Sequence, residues 1–361
     1  MSALLSALKV VEGLHLDGEE DWVLRATLKA LIRGYDFMWH GVNKHYDVRA
    51  CEVALAAPLY NLKNGKARRS HHIAGKIDKI VQHNPETPGF LTIFDHKTTS
   101  SDISPESSYW RQLSVDTQPK HYMFLARTAG YPVGRVVWDA VRKPGLKPKA
   151  LTKANWREAV EEGTYLGEGI SPAAIGACAS ALKKENEELF SIRVQKKILE
   201  DPGKHFQRRP VTPLMQDLVD HTENMVDVSY DMATARKRYR NTGRVVKNSG
   251  ACMMYNTPCK FLGVCSGQSS LLDEGWKNRE HKFPELPEFE GVHDDRTVLT
   301  HSRVRCFQTC PAKHQYQYED GYYRAQEDTS QALYFGTVWH EMMDAWWTAW
   351  NSGSEKGGAD E

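Results

Sequence analysis

No stretch of the chain approaches the roughly 18 uninterrupted apolar residues that a membrane-spanning helix needs. The opening MSALLSALKVVEGLHLDGEE has no basic region followed by a long apolar run, so a secretory leader is not expected and a cytoplasmic protein is. Charge of one sign is also missing. With 47 basic and 46 acidic side chains the formal net charge is +1, so only the distribution of charge along the chain can point to a polyanionic partner. Cysteine is sparse and odd in number, seven in 361 residues, which argues against a disulfide framework. There is no G-x-x-x-x-G-K-[ST] phosphate loop, hence no encoded helicase motor, and no repeat of fixed period. What remains is 40% hydrophobic and 26% charged, with mean hydropathy −0.57. That is a folded globular composition, long enough for two domains or one elaborated domain at roughly 100 to 200 residues each.

Residues 1–46 read as helical, with Leu4, Leu5, Leu8 and Val11, then Trp22, Leu24, Leu28, Leu31 and Ile32 at three-to-four spacing. CEVALAAPLY (51–60), HIAGKIDKIV (72–81) and FLTIFDHKTT (90–99) are rich in Val and Ile. They are separated by the turn formers NLKNG and HNPETPG, and so predict an antiparallel meander. A helix through YMFLARTAG closed by Gly130 and a strand in PVGRVVWDAVRKP follow, and residues 150–240 read as mostly helical and polar. Residues 266–295 hold eight acids against three Lys or Arg and predict an extended connector, and ALYFGTVWHEMMDAWWTAW predicts a tryptophan-rich helix.

Alternation along LTIFDHK places Leu91, Ile93, Asp95 and Lys97 on one face, and Asp78 sits on the preceding strand. Two carboxylates on neighbouring strands suit a hard divalent cation that prefers oxygen ligands. A lysine beside them can position an attacking water and offset charge on phosphorus. Gln118 and Tyr122, four apart, share a helix face and can point at the same site. Taken alone D-x-K is a short motif, and solvated polar positions at strand ends are the plain alternative.

Read in order, G-x-x-D (Gly75 to Asp78), D-x-K (Asp95 to Lys97) and Q-x-x-x-Y (Gln118 to Tyr122) resemble the RecB-type branch of the PD-(D/E)XK nuclease superfamily. Relatives of that type carry, ahead of these motifs, a Ser-x-Ser-like start, a Cys-Pro pair, a tyrosine-rich stretch, then Phe-Gly and a metal-binding histidine. Here THSRVRCFQTCPAKHQYQYEDGYY and FGTVWHEMM stand at 300–343, behind the motifs they should precede. Circular permutation is the expected explanation, and two partial copies complementing each other between molecules is the alternative. The resemblance implies an α/β restriction-endonuclease-like core, a central mixed sheet flanked by helices, with a helical insertion and an iron-sulfur clamp. Its expected parts are 1–149 (nuclease core), 150–265 (helical insertion, basic run and three cysteines), 266–295 (acidic connector) and 296–361 (displaced first segment).

The resemblance further implies that His340 joins Asp78 and Asp95 around Mg²⁺ or Mn²⁺, with the carbonyl of His96 completing the site. Lys97 helps to activate water, and Gln118 and Tyr122 orient the scissile phosphate or Lys97. Pro119 departs from the usual helical run between those two, in a first turn that tolerates proline and that Thr117 is expected to cap. The products would be a 5′-phosphate and a 3′-hydroxyl. The layout is similar to that of phage and CRISPR-associated single-domain enzymes with an iron-sulfur cluster, in a bacterial or phage-infected cell, many of them exonucleases on DNA ends.

Cys252, Cys259 and Cys265 crowd into ACMMYNTPCKFLGVCSG and suggest a metal site. Cys310 supplies a fourth thiolate by resemblance, for a [4Fe-4S] cluster, with Cys306 as competitor and zinc as the alternative occupant. Cys51 and Cys178 read as small apolar residues. Arg236, Lys237, Arg238, Arg240, Arg244 and Lys247 form a run without an acid and are expected to neutralise a nucleic-acid backbone, although a solvated helix face gives the same pattern. The tyrosines at 239, 316, 318, 322 and 323 are expected mostly to pack, with base stacking as the alternative. The expected function is a metal-dependent DNA nuclease, exonuclease in mode, in repair, recombination or phage DNA processing. Its expected partners are single-stranded DNA or duplex ends and a helicase or recombination protein, with no membrane. The alternative is a non-catalytic, iron-sulfur or zinc-stapled DNA-binding subunit.

Overall fold

Asn61 and Asn64 decide the first turn: their side-chain oxygens accept the amides of Lys63 and Lys66, and Gly65 takes the left-handed conformation that closes it. The strands on either side are longer than their apolar runs, β1 Tyr46–Asn61 and β2 Lys66–His83, and they pair antiparallel. A third strand, β3 Leu91–Thr99, pairs antiparallel with β2 and completes the predicted meander. The computed structural model describes residues 2–14, 21–83, 89–180, 184–254, 257–279, 283, 286–289, 297–324 and 331–352. The body of the HNPETPG turn, 84–88, and much of the acidic connector lie outside the described residues.

After β3 the chain runs through the short helix α3 Ser108–Ser114 and α4 Gln118–Thr128 into β4 Val133–Arg142, which lies parallel to β3. A parallel neighbour requires such a helical crossover, and it makes the sheet mixed. The strand Phe206–Val211 then pairs antiparallel with β4 at the outer edge, and Val298–Leu299 pairs in parallel with β2. That edge strand falls inside the stretch read as mostly helical. Its sequence FQRRPV alternates poorly and carries Pro210, which an edge position tolerates and which hid it from pattern reading.

Helices cover both faces. On one lie α1 Ala3–Glu12, α2 Asp21–Asn43, the helix Glu187–Glu200 and the helix Gln331–Asn351, packed over Val81, Phe94, Val137, Val141 and Phe206. Trp339, Trp346, Trp347 and Trp350 of the last helix are all buried in this layer, and Trp346 stacks on Trp350 with centroids 4.8 Å apart. Close approach here depends on Gly34, where a Cβ would stand 2.5 Å from a methyl of Ile198. On the other face α4 and the helices Met215–Thr242 and His301–Thr309 pack over Ile73, Ile77, Ile80, Ile93, Val136 and Leu299.

A buried ionic network pins the 298–319 stretch to the body. Arg303, fully buried, donates to Glu319 Oε1 at 2.6 Å, to the Val298 carbonyl at 2.7 Å and to His314 Nε2 at 3.0 Å. Arg236 reaches the same carboxylate at 2.7 and 2.9 Å. The first arginine of the basic run is therefore occupied in holding the fold. Lys237, Arg238, Arg240, Arg244 and Lys247 are exposed.

Candidate active site

Two strands and two helices bring the chemistry together. Asp78 comes from β2, Asp95 and Lys97 from β3, Gln118 and Tyr122 from α4, and His340 from the helix Gln331–Asn351. Asp78 Oδ2 accepts the His96 backbone N–H at 2.7 Å and lies 3.6 Å from His340 Nδ1. Lys97 Nζ is 2.5 Å from Asp95 Oδ2 and donates to Gln118 Oε1 at 3.0 Å, while Gln118 Nε2 donates to the Tyr122 hydroxyl at 2.9 Å. These six side chains thus stand in two linked sets of contacts, Asp78 with His340 and Asp95 through Lys97 and Gln118 to Tyr122. The glycine of G-x-x-D has a steric reason: a Cβ at Gly75 would stand 3.1 Å from the Tyr122 ring.

One expectation is corrected by the geometry. Thr117 occupies the position before α4 but its side chain makes no capping bond; its hydroxyl lies 3.1 Å from His301 Nε2 instead. Asp116 does the capping, accepting the Gln118 N–H at 2.8 Å, and Pro119 sits in the first turn as expected. Among the described residues the three-residue group whose ligand atoms lie within 4.8 Å of one another is Glu52, Asp78 and His340. Asp95 stands outside it and turns one oxygen to Lys97.

Glu52 was missed by sequence reasoning. Its signal is a lone acid in the apolar strand CEVALAAPLY. What no pattern reveals is its backbone, at φ 46°, between the register pairs Cys51 with Lys79 and Val53 with Ile77. A non-glycine residue in that region costs on the order of 1–3 kcal/mol, and such strain gathers at functional sites.

Burial, then the neighbouring Asp95 charge, pushes the Asp78 carboxyl up to about 7. A cation bound there would displace a proton. Burial also raises Glu52 and lowers His340, leaving a neutral imidazole, the form that ligates metal. For Lys97 burial works to lower the ammonium, but Asp95 and Asp78 outweigh it and hold it above its usual value. The His96 ring lies edge to face with the His340 ring, centroids 6.1 Å apart, buried 3.4 Å from Asp139 Oδ2, and burial pushes it down to about 4. Asp139, on β4, also accepts from the Tyr35 hydroxyl at 2.6 Å, which ties α2 to the sheet beside β3.

Two clefts flank the carboxylates and share Thr98. One, of about 530 Å³, is lined by Glu52, Asp78 and His340; the other, of about 870 Å³, by Lys97, Gln118, Tyr109, Arg305 and Lys313.

Comparison with known proteins now bears on this arrangement. The family model of the PD-(D/E)XK nuclease superfamily matches residues 3–237 and 298–361. The chain belongs to that superfamily. No curated protein matches it significantly. The solved structure described as "Crystal structure of SSO0001" is similar at 15% identity and a TM-score of 0.19, over 49% of this chain and 81% of that one, too slight a likeness to establish a shared fold.

PD-(D/E)XK nucleases are generally phosphodiesterases that act on DNA with a divalent metal, and the mixed sheet flanked by helices agrees with their fold. No helix among the described residues is long and apolar enough to cross a membrane. Residues 238–297, outside the superfamily match, hold three of the cysteines. Cys252, Cys259, Cys265 and Cys310 line one pocket of about 240 Å³ with Phe261, Lys247 and Lys313. Cys306 lines the larger cleft beside Lys97 instead. No cysteine trio is among the described groups with ligand atoms within 4.8 Å of one another, whereas thiolates on one tetrahedral zinc stand roughly 3.8 Å apart. Tyr316 packs against Phe261, and Tyr318 stacks on Phe283 and His314.

Proposed function

We propose that this protein is a metal-dependent DNA nuclease of the RecB type, exonuclease in mode, leaving a 5′-phosphate and a 3′-hydroxyl. The observation that carries the reading is the Asp95–Lys97–Gln118 chain of contacts beside the Glu52, Asp78 and His340 group. Asp78 and His340, with Glu52 and Asp95 as the further carboxylates and the His96 carbonyl, would hold Mg²⁺ or Mn²⁺. A bound cation supplies Lewis-acid stabilisation of charge on the phosphoryl oxygens and a more acidic water. Lys97 stays protonated, so it acts as a donor and not as a base: it orients the attacking water and offsets charge on phosphorus. Gln118 fixes its ammonium, and Tyr122 fixes Gln118. The exposed Lys237, Arg238, Arg240, Arg244 and Lys247 would contact phosphates without reading sequence.

Labelled single-stranded and duplex DNA incubated with Mn²⁺ provides the test. Cleavage that EDTA abolishes, with 5′-phosphate ends, is the expected result. Binding of DNA without cleavage of either substrate would leave the non-catalytic DNA-binding alternative in its place.

The four-cysteine pocket suits a [4Fe-4S] cluster in donor type and in room, and we assign it a structural role in clamping 252–265 onto 310. Protein purified without oxygen is expected to be brown and to contain iron and sulfide, and Cys259→Ser to lose most of both and to melt lower. Colourless protein with stoichiometric zinc would overturn the assignment. Circular permutation is part of the same reading, supported by motif order and by the packing of α1 against the helix Gln331–Asn351.

A further inference from the structure

The cation cleft already contains a cation of the chain's own. Lys76, two residues before Asp78 on β2, places its ammonium 2.6 Å from Glu52 Oε2. The cleft wall carries four carboxylates, Glu52, Asp78, Glu341 and Asp344, and Lys76 as its single ammonium among the described lining residues. The Lys76 side chain is 40% exposed, so it can leave Glu52 for water or for Asp344 without disturbing packing.

An ammonium on one carboxylate oxygen and a divalent ion on the same group would stand within about 5 Å of each other, and like charges that close repel strongly in a half-buried cleft. Glu52 therefore serves one or the other.

We infer that Lys76 is a displaceable counter-ion of the cation site, neutralising Glu52 beforehand, yielding it to the divalent cation and then binding a non-bridging phosphate oxygen of the substrate. This rests on the nuclease reading above and names a residue that acts on both cation and substrate. An ordinary surface ion pair makes a different forecast, since it contributes little and touches neither ligand.

The test measures Mn²⁺ binding to the full chain without DNA, by the electron paramagnetic resonance of free Mn²⁺, and then oligonucleotide cleavage at saturating Mn²⁺. Lys76→Met is expected to bind Mn²⁺ about three- to fivefold tighter, the worth of a half-exposed ion pair, and yet to show a raised KM for the oligonucleotide. Lys76→Arg is expected to restore both values. Tighter metal with weaker substrate is a pairing that a purely structural role would not produce. Unchanged or weaker Mn²⁺ binding in Lys76→Met, with normal binding in the parent, overturns the counter-ion role and leaves the nuclease reading standing. A parent chain that binds no Mn²⁺ overturns both together.

Discussion

Lys97→Ala is expected to slow DNA cleavage by about 10²–10³-fold at saturating Mn²⁺, the usual cost of removing one donor aimed at charge developing in a transition state. Mn²⁺ affinity should not fall and should rise at most a few-fold, because the ammonium neutralises Asp95 but makes no contact with the Glu52, Asp78 and His340 group. That split separates a chemical role from a ligand role. Asp95→Ala should fall as far in rate, since it frees Lys97 from the partner that fixes its position, and Gln118→Ala should fall less, because Asp95 still holds the ammonium. Single-turnover rates on labelled DNA, with circular dichroism to verify folding, make the comparison. A Lys97→Ala rate within tenfold of the parent would remove Lys97 from the chemistry.

The largest effect on stability is expected at Glu319. Alanine there leaves Arg303, fully buried, and Arg236, half-buried, without their shared carboxylate. Stranding a buried charge costs about 3–5 kcal/mol. Urea unfolding should show this as a lower midpoint with little change in slope. The double change Arg303→Met with Glu319→Leu should recover much of the loss, because the penalty comes from the unpaired ion and not from the missing attraction. A loss under about 1 kcal/mol in Glu319→Ala would mean that water reaches Arg303 and shares its charge.

The motifs were legible wherever one side chain fits one geometric duty. Alternation in LTIFDHK and the spacing of Gln118 and Tyr122 carried the Asp95–Lys97–Gln118 contacts, since strand and helix periods fix which residues share a face. His340 was legible only through Phe-Gly and the surrounding segment, because its contact with Asp78 spans most of the chain. Glu52 was not legible. Its place beside Asp78 and His340 depends on a left-handed backbone within β1, which no residue preference announces. Arg236 misled for a related reason: its carboxylate partner lies 83 residues further on, so a run without acids hid an ion pair. The edge strand Phe206–Val211 escaped because register with β4, and not its own pattern, makes it a strand.

The imidazole and the acids of the proposed cation site stand on opposite stretches of the polypeptide, with the tryptophan-rich helix as the carrier of the imidazole. Synthesis runs from the amino end, so Glu52, Asp78 and Asp95 emerge from the ribosome long before His340. A nascent chain therefore passes most of its growth with the acidic half of the pocket and without its nitrogen. On the nuclease reading proposed above, cutting would therefore wait until that helix docks.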